Sequence, residues 1–366
     1  MLDRLPPELC QAIFRFACTD AGTTGRALSL VSTSVRELSS PYKLQSIAIV
    51  GRAQILGFAA LLERTPDRLR RTRFLYIDGP GSAEEQLEIQ TQAFGAWHAA
   101  RDSLDCLLDR RARGERIRKD VHEVARNRAD AAYASGRAQI QRIAQEVADA
   151  AYRVMRSVAP ALEVLDILLA EYVAAGPVFA LVLPNIVDLT ARCGFPLNEN
   201  QHMSTTTLAP CPKLTHLHIV EKADRWHSAA RFFASAGIAH FAPAITNLRI
   251  SGLQQSGEFL NDLEVVLGLR EPTAEAAYEF ELQLVPKTIQ QVVIQPAPPY
   301  RGNDWMVAHL SSVLLQNARR LRDQDARVVL LKAKQNSYYD EWLVKADGSR
   351  PLWSVDDIDV QPSPKI

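Results

Sequence analysis

The sequence predicts an α/β protein: short N-terminal helices, then an irregular strand–helix solenoid interrupted by a helical insertion. Three observations carry this. A spaced pattern, P-x-L-x-x-L-x-I, recurs through the second half of the chain. Segments with apolar residues at steps of three and four lie between its copies, which is helical periodicity. And no proline occurs between Pro80 and Pro160, a stretch with long helical patterning. At 366 residues the chain has room for two domains or for one repeat body with an appendage. The expected units are 1–40, a helical module; 41–81, the first strand–helix–strand units; 82–158, the insertion; 159–334, the repeat body; and 335–366, a closing segment and tail.

The elements follow in order. Asp3 can cap a turn, and Pro6 and Pro7 suit a first helical turn, where a missing N–H costs little. Glu8 complements the helix dipole there. Leu9, Ile13 and Phe16 or Ala17 then recur at helical spacing, which predicts one buried stripe. Thr23-Thr24-Gly25 punctuates the chain before a second helix with a stripe of Leu28, Val31, Val35 and Leu38. Two short helices cannot bury enough apolar surface to stand alone, so they must pack on the body or on a partner.

This stretch resembles an F-box, in the shortened form found in large fungal families of F-box-like proteins. The matching residues are Leu5-Pro6-x-Glu8-Leu9 with Ile13-Phe14, then Leu28-Ser29-Leu30-Val31-Ser32 with Arg36-Glu37-Leu38. Ser32 and Val35 stand where the family often has Cys and Trp. The resemblance implies binding to a Skp-family linker and, through it, to a cullin complex of an SCF-type ubiquitin ligase. Leu5, Pro6, Leu9, Ile13, Val31 and Leu38 are the linker-binding residues it implies, with the rest of the chain capturing a protein substrate. The alternative is a protein-interaction scaffold outside any ligase, with these residues as a helical cap.

After residue 40, Leu44–Val50 reads as a strand with Leu44, Ile47 and Ile49 inward. Residues 53–65 read as a helix, and Thr72–Ile77 as a second strand, closed by Asp78-Gly79-Pro80-Gly81. The insertion predicts two or three antiparallel helices with breaks at Gly114 and Gly136. Its run Arg110-Arg111-x-Arg113-x-x-Arg116-x-Arg118-Lys119 is interleaved with Asp109, Glu115, Asp120 and Glu123, the pattern of a solvated helix face.

The strand pattern then repeats at residues 160–167, 184–191, 212–219, 243–250 and 286–294, with a last copy over 326–333. Successive prolines are 24, 28, 31 and 43 residues apart. This series resembles a degenerate leucine-rich repeat, which implies stacked strand–helix units with one parallel sheet. Arg225–Ala236, Gly257–Leu269 and Asp304–Leu321 are the expected intervening helices. Tyr338, Tyr339, Trp342 and Leu343 predict a helix capping the last repeat; Trp353 can dock, and Ser354–Ile366 is expected to fray.

If the apolar positions point inward, the alternate strand positions form columns on an exposed face. Asp166, Thr190, His218, Arg249 and Val293 make one column. Val164, Asp188, His216, Asn247 and Gln291 make a second, and Leu168, Arg192, Val220, Ser251 and Gln295 a third. Asp166, Thr190, His218, Arg249, Val293, His216 and Asn247 are the substrate-face candidates. Their mixed charge suits a protein partner better than a phosphate backbone.

Composition narrows the function classes. The 42 basic and 42 acidic residues balance, which argues against a globally basic nucleic-acid binder. Five dispersed cysteines without a C-x-x-C spacing suit reduced thiols, and the N-terminus lacks a secretory pattern. The most apolar window, Ala161–Leu183, contains Glu163, Asp166 and Glu171, so no membrane span is expected. The expectation is a soluble protein of cytoplasm or nucleus. No catalytic or phosphate-binding motif occurs, and His216-x-His218 with Cys211 and His227 reads as strand alternation rather than a metal set; no enzyme activity and no cofactor are expected.

Overall fold

The computed structural model describes residues 5–169, 180–192, 209–220, 237–253, 257–271, 284–298, 305–334, 337–348 and 357–359. Among them eight strands lie side by side in chain order, every neighbouring pair parallel. They are β1 (Ser46–Val50), β2 (Phe74–Asp78), β3 (Val164–Leu168), β4 (Asp188–Ala191), β5 (His216–Val220), β6 (Asn247–Leu253), β7 (Gln291–Pro296) and β8 (Val328–Leu330). Parallel neighbours need crossovers. Helix α4 (Gly51–Arg64) joins β1 to β2, and α5 (Ala83–Ala112) with α6 (Lys119–Val158) joins β2 to β3. A short α7 (Ile238–Phe241) precedes β6, α8 (Gly257–Val266) follows it, and α9 (Trp305–Gln324) leads into β8.

Strand alternation decides which side chains meet these helices. Leu165, Ile167, Leu189, Leu217, Ile219, Leu248, Ile250, Val292 and Ile294 point to the helical side, where α4 supplies Ile55 and Leu62, α6 Val154 and Val158, and α9 Leu314 and Leu321. Leu162, Ile186, Leu214 and Ile245, two positions after their turn prolines, and Ile289, three after Pro286, are buried too, so all three apolar positions of the repeat face one core. Fully burying each such side chain contributes roughly 1.5–3 kcal/mol. Hydrogen bonds stack the units: the Glu163 carbonyl accepts from the amides of Val187 and Asp188, Val187 from Thr215 and His216, Thr215 from Thr246 and Asn247, and Thr246 from Gln290 and Gln291. The expected parallel register holds, since Asp166, Thr190, His218, Arg249 and Val293 are successive partners across the sheet.

The N-terminal module holds three helices, α1 (Pro7–Ala17), α2 (Thr23–Val31) and α3 (Thr33–Ser39), rather than two. Ser32 causes the extra break: its backbone is extended and its hydroxyl accepts from the Val35 amide as the N-cap of α3. Cys10, Phe14 and Val35 form the small core of the module, with Leu28, Leu38 and Tyr42 packed against it. The Gln45 side-chain amide donates to the Arg15 carbonyl at 2.7 Å, which seats α1 on the first strand unit. Gly25 is tightly placed, because a Cβ there would stand 2.6 Å from the Lys43 carbonyl oxygen.

The insertion is a two-helix hairpin. Gly114, at φ 89°, breaks the chain as expected. Gly136 does not: it lies inside α6, where a Cβ would come within 2.6 Å of the Ala93 carbonyl oxygen. Buried Ala93, Ala100 and Ala129 join it, so small residues let the two backbones approach closely. The last turns of α6, from Val147, belong to the main core, so the hairpin grows out of the helical layer. The basic run sits at the exposed connection, with Arg110 paired to Glu115 and Arg118 to Asp120.

The closing segment corrects two expectations. Helix α10 (Tyr338–Asp347) does not cap the last repeat; it lies on the non-helical side of the sheet against β2 and β3. Residues 357–359 return to the sheet edge, where Ile358 bridges Leu331 in antiparallel sense and Asp359 accepts from Arg319 at 2.9 Å. Asp3, Arg225–Ala236, His227 and Trp353 lie outside the described residues.

Candidate functional site

Two surfaces bear on function. The first is the outward side of α1–α3. The stripe Leu9, Ile13 and Phe16, expected to be buried, faces solvent; the buried residues of α1 are Cys10 and Phe14. Leu5, Leu30 and Val31 are exposed as well, with Phe16 and Leu30 each at 81%. The physical reason is the supply of partners: Val35, Leu28, Leu38 and Tyr42 cover one face of α1, and nothing among the described residues covers the other. Six large apolar side chains on so small a module are more than scattered surface hydrophobics require. Of the residues expected to bind a linker, Leu5, Pro6, Leu9, Ile13 and Val31 are accessible. Leu38 is half-buried against the module core, so it supports the helices.

The second surface is the polar face of the sheet, and here the exposure expected of the substrate-face candidates fails. Asp166, Thr190, His218, Arg249 and Val293 are all buried. His216 and Asn247, at the strand starts, remain half-buried and hydrogen-bond each other at 3.1 Å. Helix α10 is the cover. Lys345 donates to Asp188 at 2.6 Å and to Thr190 at 2.8 Å. Glu341 accepts two bonds from Arg249, at 3.0 and 3.1 Å. Trp342 is fully buried among Phe74, Tyr76 and Val164. Helix and face are therefore complementary: Glu341 meets the sheet's Arg249, and Lys345, four residues later, meets its Asp188.

Beneath α10 the charges are held by one another. Arg192 donates to Asp166 at 2.6 Å and to Asp78 at 3.0 Å, and its guanidinium lies 4.7 Å from the Tyr76 ring centroid. Burial pushes the Asp166 carboxyl above the usual carboxylate range, while Arg192 and then Lys345 draw it back. Burial, then the charges of Arg249, Lys345 and Arg192, holds His218 well below its ordinary value, so it is neutral. His218 Nε2 and the Ser251 hydroxyl stand 2.8 Å apart. Among the described residues His218 Nδ1 has no hydrogen-bond partner and no acid orients the ring, and both side chains are shut from solvent. The pair is a structural hydrogen bond.

Sequence reasoning missed α10 as the cover, and with it Glu341, Lys345 and Tyr76. The available signal was charge: polar columns carrying Asp188 and Arg249 need either water or counter-charges, and the aromatic tail carries Glu341 and Lys345 at helical spacing. Among the described residues no three His, Cys, Asp or Glu side chains group as a metal set, and no helix is long and apolar enough to cross a membrane. Burial pushes the Cys18 and Cys211 thiols up to about 11 and about 12, so neither is a poised nucleophile. Comparison with known proteins finds no matching family, no similar curated protein and no similar solved structure.

Proposed function

We propose that this chain is a substrate-recognition adaptor of an SCF-type cullin-RING ubiquitin ligase, docking a Skp-family linker through α1–α3 and carrying a protein substrate on the leucine-rich-repeat-like stack. The observation that carries the reading is the uncovered apolar stripe of Leu5, Leu9, Ile13 and Phe16, with Leu30 and Val31 on the same module. A helical module seated on its body by Gln45, yet left apolar on the outside, is built for a partner. The columns themselves are buried, so substrate capture falls to surfaces of the stack that α10 leaves open.

Co-purification with a Skp-family linker tests this, comparing the intact chain with one that begins at Pro41. Leu5→Ala with Val31→Ala should weaken the complex about a thousandfold, since truncating an anchor costs ~2 kcal/mol or more and 1.4 kcal/mol is one decade. The unfolding midpoint should hold, because both side chains are exposed. An intact chain that retains no linker overturns the ligase reading in favour of a scaffold.

A further inference from the structure

We propose that the cleft between the α5–α6 hairpin and the carboxyl ends of β2 and β3 binds a small amphipathic anion, an aliphatic carboxylate of medium chain length. The cleft measures about 570 Å³, within the ~300–1,000 Å³ range of small-molecule sites. Gly79 and Pro80, directly after β2, and Leu169, directly after β3, border it. The cleft therefore opens at the carboxyl ends of two adjacent parallel strands.

The lining sets the ligand class. Ile89, Phe94, Ile140, Ile143 and Val147 make an apolar track. The polar members are Arg52, Arg137, the Tyr133 phenol and the side-chain amides of Gln86, Gln90 and Gln141, and no carboxylate lines the cleft among the described residues. Arg52 is already neutralised by Glu146 at 2.7 Å. The Arg137 side chain is exposed and has no hydrogen bond or ion pair among the described residues. Arg137 and Val147 share α6, ten residues or about 15 Å apart at 1.5 Å per residue. An unpaired guanidinium at one end of an apolar track matches a carboxylate head, which it can grip through two parallel N–H donors, followed by a hydrocarbon tail. A lone cation beside so much apolar wall is a poor site for a free phosphate, which needs several converging donors. This proposal does not depend on the ligase reading.

The aromatic wall provides the readout. Phe94 stacks on Tyr133 at 5.6 Å, and both rings contact Trp97, at 6.1 and 5.7 Å. The full chain is titrated with dodecanoate, with dodecyltrimethylammonium as the same tail bearing a cation and with inorganic phosphate as a head alone. Tryptophan fluorescence and calorimetry follow binding. Dodecanoate should bind saturably, the cation at least tenfold more weakly, and phosphate not at all. Arg137→Gln should weaken dodecanoate tenfold or more. Gln141→Glu, an isosteric change at an exposed lining position, should do the same by repulsion, with the unfolding midpoint unchanged. Trp97→Phe should remove the fluorescence change while calorimetric binding persists. Equal binding of anion and cation, indifference to both substitutions, or phosphate binding as well as dodecanoate overturns the proposal.

Discussion

Replacing Arg192 with leucine tests whether the polar face is closed. Arg192 and Asp166 are 6% and 3% exposed, and the guanidinium is shared between Asp166 and Asp78. Removing one member of a buried ion pair costs about 3–5 kcal/mol, because the other charge stays desolvated and unpaired. Asp78 reaches some solvent, so Asp166 dominates the cost. Without Arg192, the Asp166 carboxyl loses its nearest cation and its raised pKa rises further. A carboxyl whose folded value lies above its unfolded value contributes stability at low pH that is lost as pH rises through the folded value. Arg192→Leu should therefore cost more at pH 8 than at pH 5. Adding Asp166→Leu removes the stranded charge and should recover most of the loss, as apolar replacement of buried pairs does. Urea unfolding at both pH values measures this, with a constant slope showing that the same surface is exposed. A cost below about 1 kcal/mol at pH 8 with no pH dependence would show the carboxylate in water, and so would refute the coverage by α10.

Trp342→Ala should destabilise the chain by about 3–5 kcal/mol in the same assay, since a fully buried ring leaves a cavity against Tyr76 and Val164. His218 should make stability fall in acid: its folded value is depressed, so its contribution is present above about pH 6.5 and lost as pH drops, by about 2 kcal/mol between pH 7.5 and 5. His218→Gln should remove that component, and a variant as acid-sensitive as the parent contradicts it. Gly136→Val should force α5 and α6 apart and cost roughly 1–3 kcal/mol, with early hydrogen exchange in the hairpin, because its Cβ would meet the Ala93 backbone. Ser32→Ala should cost about 1 kcal/mol through loss of the α3 cap, read as a lower unfolding midpoint.

Much of the fold was legible because it is written in local periodicity. The P-x-L-x-x-L-x-I copies put Leu217 and Ile219 on one side of a strand by geometry alone, and residues two apart cannot change sides without changing register. The registers of Asp166, Thr190, His218 and Arg249 followed from aligning the copies. Gly136 was misread because a glycine in helical patterning has two meanings, a break or a close approach, and only the presence of Ala93 across the hairpin selects the second. The stripe of Leu9, Ile13 and Phe16 left a related choice open: periodicity says that a helix has an apolar face, not whether its own chain or a partner covers it.

The amino-acid order alone specifies the parallel α/β stack, the helical hairpin and the short helices at the start, since each depends on residues close in sequence. Only the tertiary structure decides that α10 crosses to β2–β6. That contact joins Lys345 to Asp188 across 157 residues and Glu341 to Arg249 across 92. Alternation marks Asp188 and Arg249 as facing away from the helices, but water and a complementary helix can both satisfy them. The choice falls to the helix because Trp342 gains a fully buried site there, and because its acid and lysine arrive in register with the opposite charges of the sheet.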